Sequence, residues 1–264
     1  MSAGAQMRFC ILGSGSEGNC AFLQTPSARV LIDAGFSARH TGELLAGIGV
    51  SWEQIDAVFI THEHSDHAAA LGGLARHGGV RVFANAATAR AVQAKLKHRP
   101  AWQIFETGGR FDFLDLQVES FSVPHDAMEP VGFLFSHNAH GVAWVTDLGH
   151  APRHVMEHIR GAEVLVVEAN HSAEMLRADS KRPWATKQRI GGRHGHLSNQ
   201  KARELLEAVA VEQPAWRQIY LTHLSRDCNS VEAVLREFAG IEAVVKCPFA
   251  VVPPGERTAF YEFG

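Results

Sequence analysis

The chain has 264 residues, 46% of them hydrophobic, and its 25 basic and 28 acidic side chains leave a formal net charge of −3. That is enough apolar material for one large domain or two small ones, and the slightly acidic balance excludes a chain that holds nucleic acid by bulk charge alone. No apolar run approaches the ~20 residues that span a bilayer, so no membrane partner is expected.

Short apolar runs separated by Gly-, Ser- and Pro-rich turns predict strands at residues 8–12, 20–24 and 29–33. Leu44, Leu45 and Ile48 fall on one face of a predicted helix over 37–48. A strand over 55–61 leads into Thr61-His62-Glu63-His64-Ser65-Asp66-His67, and an Ala- and Leu-rich stretch predicts a helix over 68–77. A strand at 80–84 and a helix over 86–97 follow. The second half repeats this style, with strands at 116–123, 131–136, 142–146, 163–168 and 218–222. Its helices are predicted over 152–160, 198–211 and 230–238, with Ser198 as an N-cap. No low-complexity linker interrupts the chain, so 1–264 reads as a single domain of two stacked sheets with helices outside. Residues 1–6 lack a charged-then-apolar signal pattern and read as a loose tail. Cys10, Cys20, Cys228 and Cys247 form no CxxC pair, so free thiols in the cytoplasm are expected.

Histidine is the compositional outlier, at 16 residues. Three of them stand with an aspartate inside the six positions 62–67, a density that core packing does not require. In extended backbone, residues two apart point to the same side, so His62 and His64 can reach one metal together. Once the chain turns, Asp66 and His67 can face a second. Imidazole nitrogen and carboxylate oxygen suit zinc, manganese or iron. Four further positions share one setting, an apolar strand-like run that ends in a metal-capable side chain: Asp33, His125, Asp147 and His223. Singly, each reads as a turn, cap or loop residue. Beside the histidine motif, they predict strand ends gathered at one sheet rim.

The pieces LIDAG at 31–35, THEHSDH at 61–67, VPHD at 123–126, VTDLG at 145–149 and LTHLS at 221–225 together resemble the metallo-β-lactamase superfamily, in order and over nearly the whole chain. The resemblance implies an α/β (α+β) fold, a four-layer αββα sandwich with a site for two divalent metal ions at one sheet rim. Carried over by motif, His62, His64 and His125 would hold one metal and Asp66, His67 and His223 the other, with Asp147 bridging and Asp33 orienting the histidine loop from behind. Zinc or manganese would serve, and iron is also compatible. The ordered set VLVVEANH at 164–171, GHLSN at 195–199 and THLS at 222–225 is similar to the nuclease and phosphodiesterase branch that includes ribonuclease Z. That likeness implies that Glu168 and His196 assist proton transfer to the leaving oxygen. GSGSEGN at 13–19 and GHLSN look closer still to the YycJ/WalJ-type subgroup, associated with DNA exonuclease activity. The implied reaction is phosphodiester hydrolysis by a hydroxide held between two metals, with Asp66 orienting or deprotonating the water.

Between Glu168 and His196 lie Arg177, Lys181, Arg182, Lys187, Arg189 and Arg193, with Gly191 and Gly192 lending pliability and Trp184 placed to stack on a base. Such a basic loop can concentrate a phosphodiester and is expected to close over nucleic acid, although an ordinary solvated loop would look the same. Lys181, Arg182, Lys187, Arg189, Arg193 and Asn199 are the candidate substrate contacts, with His171 and His194 in reserve. His137, His140, His150, His154 and His158 read as peripheral. The rival reading is a small-molecule hydrolase on the same ligands, a cyclic phosphodiesterase, thioesterase or lactonase. A binding protein stabilised by metal but without turnover is the other.

Overall fold

The apolar runs pair into two sheets of seven strands each. The computed structural model describes residues 7–74, 77 and 79–264; the expected tail at 1–6 lies outside them. The first sheet contains β1 (Arg8–Gly13), β2 (Cys20–Gln24), β3 (Arg29–Ile32), β4 (Ala57–Phe59), β5 (Arg81–Asn85) and β6 (Ala101–Phe105) in that order, with β14 (Tyr261–Glu262) beyond β1. The second contains β7 (Arg110–Phe113), β8 (Leu116–Ser122), β9 (Val131–His137), β10 (His140–Val145), β11 (Val164–Glu168), β12 (Gln218–Thr222) and β13 (Phe249–Val251), again in sequence order. The helices are α1 (Ala38–Ala46), α2 (Ser65–Ala68), α3 (Leu71–Leu74), α4 (Ala86–Gln93), α5 (Arg153–Arg160), α6 (Ala173–Ala178), α7 (Trp184–Gly191), α8 (Asn199–Ala210), α9 (Val231–Glu237) and α10 (Ile241–Val245). No helix among the described residues is long and apolar enough to cross a membrane.

Three apolar cores separate four layers. Successive strand residues point to opposite faces, so a strand covered on both sides must be apolar throughout. In β11, Val164 and Val166 enter the core between the sheets, whereas Leu165 and Val167 enter the core under α5, α8 and α9. In β4, Ala57 and Phe59 face the other sheet, and Val58 faces the core shared with α1 and α4. This is the αββα order expected from the motifs.

β3 to β6 run parallel, as do β10 to β13. Parallel strands deliver their carboxyl ends to one rim, where ligands of open α/β sheets collect.

Several elements differ from expectation. The helix expected over 68–77 is replaced by the short α2 and α3, and α2 starts early enough to carry Asp66 and His67; residues 75, 76 and 78 lie outside the described set. The basic stretch is not a pliable loop: α6 and α7 occupy most of it, and Gly191 is the last residue of α7. Strands β6, β7, β13 and β14 and helix α10 were not anticipated.

Candidate metal centre

The rim is built by backbone turns that few side chains tolerate. Asp33 follows β3, Asp147 lies two residues past β10 and His223 follows β12, and all three adopt left-handed φ values of 57°, 58° and 56°. Non-glycine residues in this region carry strain, and strain of this kind clusters at functional sites. Here the turns bring Asp147 and His223 together at the rim and place Asp33 directly behind. The LIDAG glycine has its own constraint: a Cβ on Gly35 would stand 1.7 Å from the Asp66 carbonyl oxygen, so only glycine lets that loop close against the histidine motif.

Ligand-capable atoms of His62, His64 and His125 lie within 4.8 Å of one another, and so do those of Asp66, His67 and His223. Asp147 joins them: its carboxylate lies 3.0 Å from His67 Nε2, 3.5 Å from His223 Nε2 and 3.8 Å from His125 Nε2. Two further sets are equally close, His62 with His67 and Asp147, and Asp147 with Glu168, His196 and His223.

Hydrogen bonds on the far ring nitrogens orient the near ones. His125 Nδ1 donates to the Gly195 carbonyl at 3.0 Å, which turns Nε2 toward His64 Nδ1, 3.4 Å away. His67 Nδ1 donates to Asp33 Oδ2 at 2.8 Å. The Asp33 carboxylate also accepts from Thr61 N at 2.9 Å, Thr61 Oγ1 at 3.0 Å and Trp144 Nε1 at 3.1 Å. Asp33 therefore ties β3, β4, β10 and the histidine loop to one buried anion. Asp33→Ala is expected to weaken metal binding by about 10–100-fold and to destabilise the fold by about 3–5 kcal/mol, because His67 loses its buried partner. Metal titration and urea unfolding measure the two effects; wild-type values in both would remove Asp33 from this role.

The donor atoms fit cations better than they fit one another. His62 Nε2, His223 Nε2 and Asp147 Oδ2 are buried without a hydrogen-bond partner. His67 Nε2 approaches Asp147 Oδ2 at hydrogen-bond distance but not in its direction. Each unsatisfied buried group costs about 1–3 kcal/mol, a cost that coordination removes. Burial, reinforced by the neighbouring His67, drives His62 well below its usual pKa, so its ring is neutral and offers a lone pair. Burial also opposes charge on Asp147, yet His223 and His67 outweigh it and hold the carboxylate ionised well below its usual range. The converse holds for His223: burial pushes it down, Asp147 pulls it up, and the result is about 10. The site is a strong anionic field lined by imidazoles, and divalent metal ions are the group it implies.

Glu168 lies beside this field, fully buried at the end of β11. Its Oε1 accepts from Leu148 N and Leu197 N, both at 2.8 Å, and its Oε2 accepts from His196 Nδ1 at 3.0 Å. Burial would raise the Glu168 pKa, but the charge and hydrogen bond of His196 lower it to about 2. In return Glu168 overcomes the desolvation of His196 and raises its pKa. The GHLSN glycine again permits a close approach: a Cβ on Gly195 would stand 2.1 Å from the Ile190 carbonyl oxygen.

A model of the beta-lactamase superfamily domain matches residues 28–224. The chain belongs to the beta-lactamase superfamily. It is 37% identical over 228 residues to exodeoxyribonuclease YycJ of Bacillus anthracis, covering 86% of this chain and 85% of the relative. It is also 37% identical over 265 residues to exodeoxyribonuclease WalJ of Streptococcus pneumoniae, covering 96% of each. Among solved structures, the metallo-β-lactamase fold protein YhfI from Bacillus subtilis aligns with a TM-score of 0.70 at 17% identity over 96% of this chain and 99% of that one, a likeness of fold alone. The superfamily and fold implied by the motifs are borne out.

Within this superfamily fold, the helical insert treats its cations unequally. Lys181 Nζ donates to Asp227 at 2.6 Å, and Arg182 donates to Asp179 and Asp227, each at 2.9 Å. Arg189 pairs with Asp126. Arg182 and Arg189 line the metal cleft, with their charges already met by carboxylates. Lys187 and Arg193 stand outside it: Lys187 Nζ donates to the Arg177 carbonyl at 2.8 Å, and Arg193 lies 3.4 Å from His150 Nε2. Asn199 is buried in a reciprocal amide pair with Asn229 at 2.9 Å and does not line the metal cleft. His171 is buried and His194 exposed. Sequence reasoning missed Asn170, whose amide donates to the His223 carbonyl at 2.9 Å, and Asn19, whose amide lies 3.2 Å from His67 Nε2. Both asparagines stand within segments already singled out, but nothing local showed what they hold.

Proposed function

We propose that the protein is a dinuclear-metal phosphodiesterase acting as a nuclease of the DNA exonuclease type. The observation that carries this reading is the pair of buried Glu168 and half-buried His196 set directly against the metal donors. Two extended relatives named exodeoxyribonucleases support the polymeric substrate. His62, His64 and His125 would hold one cation, Asp66, His67 and His223 the other, and Asp147 would serve both. Zinc or manganese suits these donors. When bound, such a pair lowers the pKa of water to about neutral and offsets charge growing on a phosphoryl group.

The chain's own residues do the rest. Glu168 favours the doubly protonated His196 ring: Nδ1–H is held by the Glu168 carboxylate at 3.0 Å, and Nε2–H is the proton given to the departing oxygen, which leaves the ring neutral. Asp66, less buried than Asp147, orients the attacking water. Arg182 and Arg189 fix the cleft wall through their carboxylate partners rather than by bulk attraction. The four cysteines are buried and free, in keeping with a reducing, cytoplasmic setting.

The test is an activity panel with zinc and manganese on end-labelled DNA, end-labelled RNA, a chromogenic phosphodiester, a thioester and a lactone. Stepwise shortening of labelled DNA is expected. Turnover of the thioester or lactone with intact DNA and RNA would replace the nuclease reading by the small-molecule one.

A further inference from the structure

Helix α7 separates two cavities. Thr186, Arg189 and Ile190 face the metal cleft. Trp184, Lys187, Gln188 and Gly191, at helical i, i+3, i+4 and i+7 spacing, face a second cavity of about 410 Å³. That volume lies in the range of about 300–1,000 Å³ typical of small-ligand clefts. Neighbouring residues line the two cavities. Asn170 lines the first and His171 the second, and His171 bridges to Ser198, two residues from His196. A helix is about 10–12 Å across with its side chains, so the second cavity begins roughly one helix width from the metal donors.

Its chemistry is not that of an ordinary surface dent. Arg177, Lys187 and Lys201 line it, and no aspartate or glutamate does. Among the described residues none of the three forms an ion pair with a carboxylate. Lys187 Nζ rests on the Arg177 carbonyl, and Lys201 Nζ reaches the Gly149 and Gly191 carbonyls at 3.3 and 3.4 Å, contacts with neutral acceptors. Among the described residues, the metal-side cations Arg182 and Arg189 are in ion pairs and the far-side Arg177, Lys187 and Lys201 are in none, in a chain of net charge −3. Trp184 stands at the cavity mouth, 66% exposed, whereas Trp52, Trp144 and Trp216 are buried. An exposed indole ringed by unpaired cations matches an anionic ligand with a flat aromatic face.

We propose that this cavity seats one nucleotide of a single-stranded polynucleotide that crosses α7 from the metal centre, its base on Trp184 and its phosphate among Lys187, Arg177 and Lys201. A base must leave its duplex partner to stack on a side chain, so the cavity selects single strands. The proposal rests on the nuclease reading only for what lies at the other end of the strand.

The test uses the full chain loaded with metal and nuclease-resistant phosphorothioate oligothymidylates, one a dinucleotide and one of about eight nucleotides, within the ~4–16 that single-strand sites cover. The longer strand is expected to bind more tightly and to quench tryptophan fluorescence. Trp184→Ala should weaken its binding at least about fivefold, the low end of one stacked base, and Trp184→Phe should restore most of that loss. Lys187→Ala should reduce the slope of log affinity against log salt by about 0.7. Equal affinity of wild type and Trp184→Ala for the longer strand, or no binding of it at all, overturns the proposal. Binding that follows these expectations while unmodified DNA stays uncut would keep the cavity and end the nuclease reading; cutting with affinity unchanged in Trp184→Ala would do the reverse.

Discussion

His196→Ala is expected to lower kcat on DNA by about 10²–10⁴-fold, the usual worth of a general acid, with metal content unchanged. The ring lies in a group of possible donors with Asp147, Glu168 and His223, but its Nδ1 is committed to Glu168 at 3.0 Å, and it belongs to neither of the two triads expected from the motifs. Removing it therefore takes away a proton donor and leaves both ligand sets whole. The role can be separated from a structural one by changing the leaving group. A nitrophenolate departs without a proton, so the deficit of the variant should shrink on a nitrophenyl phosphodiester and persist on DNA. Metal analysis together with kcat on both substrates decides it. Loss of a metal ion, or equal deficits on the two substrates, would take the proton from His196.

Removing the cations with a chelator is expected to abolish hydrolysis and to lower the melting temperature, both restored by added zinc or manganese. The stability term follows from mass action: a ligand at 1,000 times its dissociation constant adds about 4 kcal/mol per site, and in a large domain each kcal/mol moves the midpoint by about 2–4 °C. With two sites that is about 8 kcal/mol, so a fall of roughly 15–30 °C is the expected order. The structural reason is local. His62 Nε2, His223 Nε2 and Asp147 Oδ2 are buried with no hydrogen-bonding partner among the described residues, so the fold without cations retains unmet donors and acceptors at this cluster. Thermal melts across a metal series measure the shift. A midpoint indifferent to chelator would mean that these side chains satisfy one another in some other way.

The strands buried on both faces were the most directly legible elements. Strands β2, β3, β10 and β11 read as unbroken apolar runs because one side meets the other sheet and the other side meets helices. Their ends were legible for the same reason, since a polar residue after such a run has left the core. β6 escaped notice because it keeps much of its surface exposed, and β13 and β14 because they have only three and two residues. Helix α7 buries no side chain, so it leaves no periodic apolar trace, and its glycine, lysines and arginines look like a loop.

By itself the sequence determined the donor types, their order and their places at strand ends, and with them the superfamily, because ligand chemistry is written in residue identity and local spacing. Only the tertiary structure decided how charge is distributed around them. Arg182 and Arg189 are met by Asp227 and Asp126, 45 and 63 residues away along the chain, and α7 turns one basic segment into two unlike faces. Electrostatic partnership depends on distance in space, and that appears only once the chain has folded.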